Sequence, residues 1–221
     1  MKFAIAIDGP AGAGKSSVAK AAARALGFIY VDTGALYRTV GLYMLRNNIA
    51  PSDMEAVENA LGAITVDMAH EADGQHVFLC GEDVTAEIRT PEVSIAASNF
   101  SKIPEVRAFL LSTQVDMAER YNVLMDGRDI GTVVLPDAQV KIFLTASAEE
   151  RARRRCLELE QKGKPEPYEK ILDEIRWRDD QDMNREAAPL KPAEDSVLLD
   201  TSDLDFEGAV QRLLEIVRER M

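Results

Sequence analysis

Eight residues near the N-terminus, Gly9-Pro10-Ala11-Gly12-Ala13-Gly14-Lys15-Ser16, follow the pattern G-x-x-x-x-G-K-[ST], and Ser17 comes next. Glycines let a backbone wrap so that successive N–H groups point at one anion. A helix starting at the lysine adds the positive end of its dipole. Lys15 is then placed for the β- and γ-phosphates of a nucleoside triphosphate, and a serine hydroxyl can ligate Mg²⁺. An apolar run, Phe3 to Ile7, precedes the loop, and an Ala-rich helical pattern, Lys15 to Leu26, follows it. The strand–loop–helix context is the one a phosphate-binding loop needs.

Such a loop fixes the donor and leaves the reaction open. The chain has no Asn-Lys-x-Asp guanine-reading motif, which argues against a regulatory GTPase. Val123-Leu124-Met125-Asp126 and Val197-Leu198-Leu199-Asp200 are apolar strands ending in a carboxylate, a form suited to orienting Mg²⁺ or its water. Three polar clusters supply groups for a second, anionic substrate. Asp32 to Arg38 begins a helix at the end of a strand; Thr33 offers a hydroxyl and Arg38 a bidentate phosphate ligand. The alternative for this cluster is a helix cap beside a solvated arginine. Asp126-Gly127-Arg128-Asp129-Ile130-Gly131 packs two carboxylates and a guanidinium behind a buried strand, more charge than a structural loop requires. Arg178, Asp182 and Arg185 are spaced i, i+4, i+7 and share a helical face, which also suits a solvated ion-paired surface. Four of the five residues from Arg151 to Arg155 are arginine, and Arg151, Arg154 and Arg155 share a face just before the Gly/Pro-containing segment Gln161 to Pro167. Arginines on a mobile lid would stabilise the charge of phosphoryl transfer and exclude water; a basic surface helix on an acidic protein is the plainer alternative.

These groups need a scaffold, and the apolar pattern describes one. Strand-length runs at Phe3–Ile7, Phe28–Val31, Val123–Met125, Val140–Leu144 and Val197–Leu199 alternate with helical patterns at 15–26, 35–46, 105–121, 148–161, 168–185 and 206–220. That alternation implies an α/β fold, a parallel sheet with helices on both faces. Between about 62 and 89 the alternation breaks into short β-like pieces, Ile64–Val66, His76–Cys80 and Asp83–Thr85, the last two joined by a Gly81-Glu82 turn, which suggests a small antiparallel insertion. At 221 residues, 46% hydrophobic and 29% charged, the chain has the makings of an ordinary globular domain. Its net charge of −12 argues against nucleic acid as a partner. The N-terminal apolar run is too short for a signal peptide or a membrane span. Cys80 and Cys156 show neither disulfide nor metal spacing, so a reducing cytoplasm is the expected location.

The stretches Ile7–Lys15, Asp32–Arg38, Gly81–Thr90, Asp126–Val134, Pro136–Leu144 and Arg178–Arg185 with Ala188–Leu190 together resemble the bacterial cytidylate kinases, P-loop nucleoside monophosphate kinases. The resemblance spans nearly the whole chain in order. It implies Mg²⁺-dependent transfer of the ATP γ-phosphoryl group to CMP or dCMP, giving ADP and CDP or dCDP, in pyrimidine nucleotide metabolism. It divides the chain into a core (1–61, 90–150 and 168–221), an acceptor-binding insertion (about 62–89) and an arginine-bearing helical lid (about 151–167). Gly9 to Ser17 would bind ATP, and Lys15, Arg128, Arg154 and Arg178 would be catalytic. Ser98, Arg107 and Asp129 would read the cytosine, Arg178 and Asp182 would hold the ribose, and Thr33, Arg38, Arg128 and Arg185 the acceptor phosphate. Ser16 is the first candidate for Mg²⁺, but relatives often have Gly-Thr where this chain has Ser16-Ser17, so either serine fits. Thr33 replaces a frequent serine and keeps the hydroxyl. ATP and CMP or dCMP are the expected partners, with no membrane and no nucleic acid, and a monomer is expected. The rivals are another nucleoside monophosphate kinase, taking UMP or AMP, and a non-catalytic ATP-binding sensor.

Overall fold

A computed structural model describes residues 2–71 and 74–221. Five strands form one sheet: β1 (Ala4–Asp8), β2 (Ile29–Asp32), β6 (Val123–Gly127), β7 (Val140–Thr145) and β8 (Val197–Asp200). Their order is β2-β6-β1-β7-β8, and every pairing is parallel. β1 and β6 are buried along their whole length, which is why they read as unbroken apolar runs. The register sets Asp32 opposite Asp126, and Asp8 opposite Gly127. Three carboxylates thus meet at the carboxyl ends of adjacent strands, where open α/β sheets bind ligands.

One face of the sheet is covered by α1 (Lys15–Leu26) and α8 (Phe206–Arg218). Val18, Ala19, Ala22 and Ala23 of α1 pack with Ile5, Leu124 and Ile142 of the sheet and with Leu213 and Val217 of α8. The small side chains of α1 bring that helix close to β1, so the loop between them is short and rigid. The second large core joins α2 (Thr33–Arg46), α3 (Met54–Ala63), α4 (Pro91–Phe100) and α5 (Pro104–Arg120). Leu36, Val40, Met44, Val93, Phe100 and Leu110 are its centre. The remaining helices, α6 (Ala148–Gln161) and α7 (Tyr168–Asn184), pack on each other through Ala152, Ile171 and Ile175.

A small antiparallel sheet, β3 (Val66–Glu71), β4 (Gly74–Leu79) and β5 (Glu82–Asp83), lies within the stretch where the alternation broke. Val66, Val77 and Leu79 enter the same core as α2 and α4, so the sheet is anchored. The polar strand β3 runs on from Val66, and Ile64 precedes it, because the strand carries one apolar face against a wet one. The turn between β4 and β5 is Cys80-Gly81, one residue earlier than Gly81-Glu82, with φ of 50° and 83°. Positive φ at both central residues matches the right-handed strand twist, as in a type I′ hairpin. Helices α3 and α4 are additional to the sequence expectation. Both begin at a side-chain cap: Asp53 accepts from the Ala56 N–H, and Thr90 from that of Val93, with Pro91 in the first turn of α4.

Candidate active site

The phosphate loop is built by exclusion of side chains and by a lysine folded back on it. At Gly9 (φ 149°) a Cβ would stand 1.9 Å from the Leu144 carbonyl oxygen, so only glycine lets β1 turn there against β7. Gly14 caps α1 in the left-handed region at φ 83°. Lys15 is buried and donates from Nζ to the Pro10 carbonyl at 2.7 Å. Burial, and then the positive Arg128 nearby, push its ammonium down to about 7. Ala11, Gly12, Ala13, Ser16 and Ser17 line the same cleft, of about 470 Å³.

Asp126, at the end of β6, is the hub beside the loop. Its Oδ2 accepts from the Ser16 hydroxyl and its Oδ1 from the Tyr30 hydroxyl, both at 2.8 Å. Burial, and then the neighbouring Asp32, push its carboxyl above the ordinary value. Burial acts on Asp32 in the same direction, but Arg38 and Arg89 outweigh it and hold Asp32 below the ordinary range. Asp32 also caps α2, accepting from the Ala35 N–H at 3.0 Å. Its backbone exchanges hydrogen bonds with the Gln75 amide, which ties the small sheet to β2.

The acceptor side holds the other expected residues. Arg38 pairs with Asp32 at 2.9 Å, while among the described residues its buried Nε finds no partner. Arg38 lines the cleft, and its unpaired buried N–H is a donor still to be satisfied. The Thr33 hydroxyl donates to the Asp126 carbonyl at 2.7 Å, so its one proton is engaged within the protein. Arg128 donates from Nε to Asp182 at 2.8 Å. Buried Asp129 receives Arg107 on one oxygen and Arg185 on the other, the latter at 3.2 Å. Arg185 is held in turn by the Ala188 carbonyl at 2.7 Å. Ser98 on α4 and Arg178 on α7 complete this wall. Burial and the neighbouring Arg128 both lower the Arg178 pKa, which records two guanidiniums near each other, with Asp182 acting against the shift.

The structure thus gathers Lys15, Ser16, Ser17, Thr33, Arg38, Ser98, Arg107, Arg128, Asp129, Arg178, Asp182 and Arg185 around one cleft. Arg154 is not among the residues lining it. Its Nη2 donates to the Thr201 carbonyl at 2.6 Å and its Nε to Glu150 at 3.0 Å. Arg151, grouped by sequence with the lid arginines, is buried: it pairs with Asp179 at 2.6 Å and donates to the Ala11 and Ala146 carbonyls. It staples the base of α6 to the phosphate loop and to α7. Tyr37, which lines the cleft, and Tyr30, which bonds Asp126, are not singled out from the sequence. Tyr37 lies with the Arg107 guanidinium 5.6 Å over its ring; its i, i+4 spacing from Thr33 carried that information. Tyr30 is identified only by its bond to Asp126, and no local pattern announces it.

The family described as cytidylate kinase matches residues 5–219. The cytidylate kinase of Caldicellulosiruptor bescii is 54% identical over 215 residues, covering 97% of this chain and 95% of its own. That of Mycobacterium avium is 50% identical over 217 residues, covering 98% and 95%. An uncharacterized protein from Eubacterium ventriosum shares the fold alone, with a TM-score of 0.56 at 13% identity over 100% of both chains. The sequence match runs from β1 through α8 and includes every element that builds the cleft, so the chain belongs to the cytidylate kinase family.

Proposed function

We propose that this chain transfers the γ-phosphoryl group of ATP to CMP, and to dCMP, and that the cleft residues divide the task as follows. The observation that carries the reading is the buried Arg107–Asp129–Arg185 constellation in one cleft with the Lys15 loop. Cytosine offers an exocyclic amine donor and acceptors at N3 and O2. Each carboxylate oxygen has two lone-pair sites, so Asp129 can keep its arginines and still accept the amine. Arg107 can donate to N3 or O2, with Ser98 beside it. Uracil reverses the polarity at N3 and C4. Losing one hydrogen bond to a charged group costs about 1.5–3 kcal/mol, roughly tenfold to a hundredfold in selectivity.

Asp182 and Arg178 would hold the ribose. Arg38, with its unsatisfied Nε, Arg128 and Arg185 would hold the acceptor phosphate, with Thr33 joining if its hydroxyl turns from the Asp126 carbonyl. An oxygen of that phosphate is already an anionic nucleophile, so no general base is needed. It forms the new O–P bond to the γ-phosphorus as the bond to the β–γ bridging oxygen breaks. Lys15, Arg128 and Arg178 neutralise the spread charge, and the preset cleft supplies alignment. Oxygen donors at Ser16 and Asp126 suit Mg²⁺, a hard cation that keeps most of its waters. When bound with ATP, it would add charge neutralisation at the β- and γ-phosphates. The bond from Ser16 to Asp126 makes Ser16, of the two serines, the proposed metal-facing one.

We further propose that the acceptor insertion (about 62–89) and the lid (about 151–167) move against the core. Arg151, bonded to Ala11 and Asp179, would stay with the core while the segment beyond it moves. Arg154 would join the phosphates by releasing the Thr201 carbonyl. Among the described residues no helix is long and apolar enough to cross a membrane. We place the protein in the cytoplasm as a monomer working on free nucleotides, in pyrimidine nucleotide metabolism. ADP release with CMP, dCMP, UMP and AMP as acceptors tests the whole reading. Turnover of CMP and dCMP well above UMP and AMP is expected. Equal or better turnover of UMP or AMP overturns the base assignment, and no acceptor-dependent ADP would leave a nucleotide-binding sensor.

A further inference from the structure

Asp129 can discriminate bases only if its carboxylate stands at a fixed place; Arg107 and Arg185 hold the carboxylate itself, the Val133 and Val134 N–H groups hold its carbonyl, and the N–H side of the turn it starts is held from outside. Asp129 starts a five-residue π-helical turn, Ile130–Val134, at φ −147° and ψ 27°. The first N–H groups of any helical turn have no partner within the turn. Here the two leading ones are taken by a single side chain 122 residues distant. Asp8 Oδ1 accepts from the Ile130 N–H at 2.7 Å and Oδ2 from the Gly131 N–H at 2.8 Å, both buried. The Ile130 N–H belongs to the peptide plane that joins Ile130 to Asp129. Fixing that plane places the Asp129 Cα and so limits the directions in which its side chain can leave the backbone.

Asp8 is itself buried. It ends the wholly buried strand β1 and precedes Gly9, where the chain is pressed against Leu144. Gly131 seals the contact from the other side: a Cβ there would stand 3.4 Å from Asp8 Oδ2 and 3.2 Å from the Lys141 Cδ. A buried carboxylate is expensive to maintain, and an apolar residue at the end of β1 would serve the sheet as well. Asp8 is not among the residues lining the cleft.

We propose that Asp8 is a positioning residue for base selectivity: its carboxylate holds the turn that aims Asp129 at the acceptor base. The proposal rests on the reading of Asp129 as the residue that meets the base. Asp8 thereby ties the root of the phosphate loop to the acceptor site with two hydrogen bonds.

The test compares the CMP-to-UMP ratio of kcat/KM in wild type, Asp8→Asn, Gly131→Ala and Asp129→Ala, with KM for ATP measured alongside. The asparagine keeps one acceptor oxygen and turns an amide donor toward the second N–H. Its ratio should fall about tenfold, carried mainly by a higher KM for CMP, while KM for ATP stays within about twofold. Gly131→Ala adds a methyl at ordinary contact distance from Asp8 Oδ2 and closer to the flexible Lys141 chain, which can yield; it perturbs the turn without removing the carboxylate and should lower the ratio in the same direction by a smaller factor. It decides the matter if Asp8→Asn does not fold. An unchanged ratio in the folded variants overturns the proposal. So does a fall in CMP and UMP turnover by the same factor with KM for ATP rising in parallel, which would make Asp8 a support of the phosphate loop only. If Asp129→Ala leaves the ratio unchanged, the reading of Asp129 fails. If it collapses the ratio while Asp8→Asn does not, only the role of Asp8 fails.

Discussion

Single residues carry the selectivity. Asp129→Ala removes the carboxylate proposed to face the base and leaves Arg107 and Arg185, whose side chains are largely buried, facing each other across its place. KM for CMP should rise by about tenfold to a hundredfold while the dissociation constant of ATP holds, as isothermal titration would show. Unchanged use of CMP would mean that another group reads the amine. The two serines offer a second separation. Ser16 bonds Asp126, whereas Ser17 follows it on α1 without entering that carboxylate network. Ser16→Ala should raise the Mg²⁺ concentration needed for half-maximal rate about tenfold, and Ser17→Ala should leave it near wild type. Matching shifts in the two variants would refute the assignment of Ser16. At this scale the sequence was informative where chemistry needs a rare residue type at a fixed spacing, as in Gly9 to Lys15 or Asp126 to Gly131. It was silent on Asp8 and Tyr30, whose partners lie 122 and 96 residues away. Nothing local distinguishes an aspartate that caps a distant turn from one that faces solvent.

Elements decide whether those residues converge. The acceptor wall depends on α2, which carries Thr33, Tyr37 and Arg38, lying close against α4, which carries Ser98. Gly41 makes that approach possible: a Cβ there would come within 2.9 Å of the Ala97 backbone nitrogen and 3.3 Å of the Ala96 Cβ. Backbone cannot yield as a flexible side chain can. Gly41→Ala should therefore push α4 outward, lower stability by about 1–3 kcal/mol and raise KM for CMP more than KM for ATP. Denaturant unfolding and steady-state kinetics read the two effects, and equal rises in both KM values would contradict the packing argument. The parallel core was legible because strands buried on both faces leave continuous apolar runs, and their crossover helices leave long periodic ones. Helices α3 and α4 were not, although each has a cap signal in Asp53 or Thr90. α4 is short, and its apolar stripe, Val93, Ala96, Ala97 and Phe100, is made largely of small residues and blurred by exposed Ile95. Its helical state is held by the fit against α2 rather than by its own pattern. Arg151 shows the reverse failure. A run of arginines suggests solvent and phosphate, yet one of the four is buried and clamps three elements.

The whole molecule balances stability against the charges its cleft needs. Three carboxylates, Asp8, Asp32 and Asp126, are concentrated at the strand ends of a chain whose net charge is already −12. Arginines neutralise Asp32, while Asp8 is faced chiefly by backbone N–H groups, with Lys15 and Asp129 as its nearest charges. Burial accordingly pushes Asp8 up from 3.8 to about 6. An acid with a raised pKa binds its proton more tightly when folded. Between about pH 6 and 4 the folded state therefore holds more protons than the unfolded one, and the contribution of Asp8 to stability grows as pH falls. A shift of that size corresponds to about 2–3 kcal/mol between pH 7 and pH 4. Asp8→Asn cannot titrate, so the difference in unfolding free energy, wild type minus variant, should increase by that amount over this range. Denaturant titrations at stepped pH measure it, and a difference that stays flat or shrinks toward pH 4 would show that Asp8 is not held ionised at a cost. Function pulls the other way. Protonation removes one of the two acceptors that hold Ile130 and Gly131, so the CMP-to-UMP selectivity of the wild type should decline as pH falls through about 6, in the same interval where Asp8 ceases to oppose folding. The form of Asp8 that aims the acceptor site is thus the form that the folded chain stabilises least.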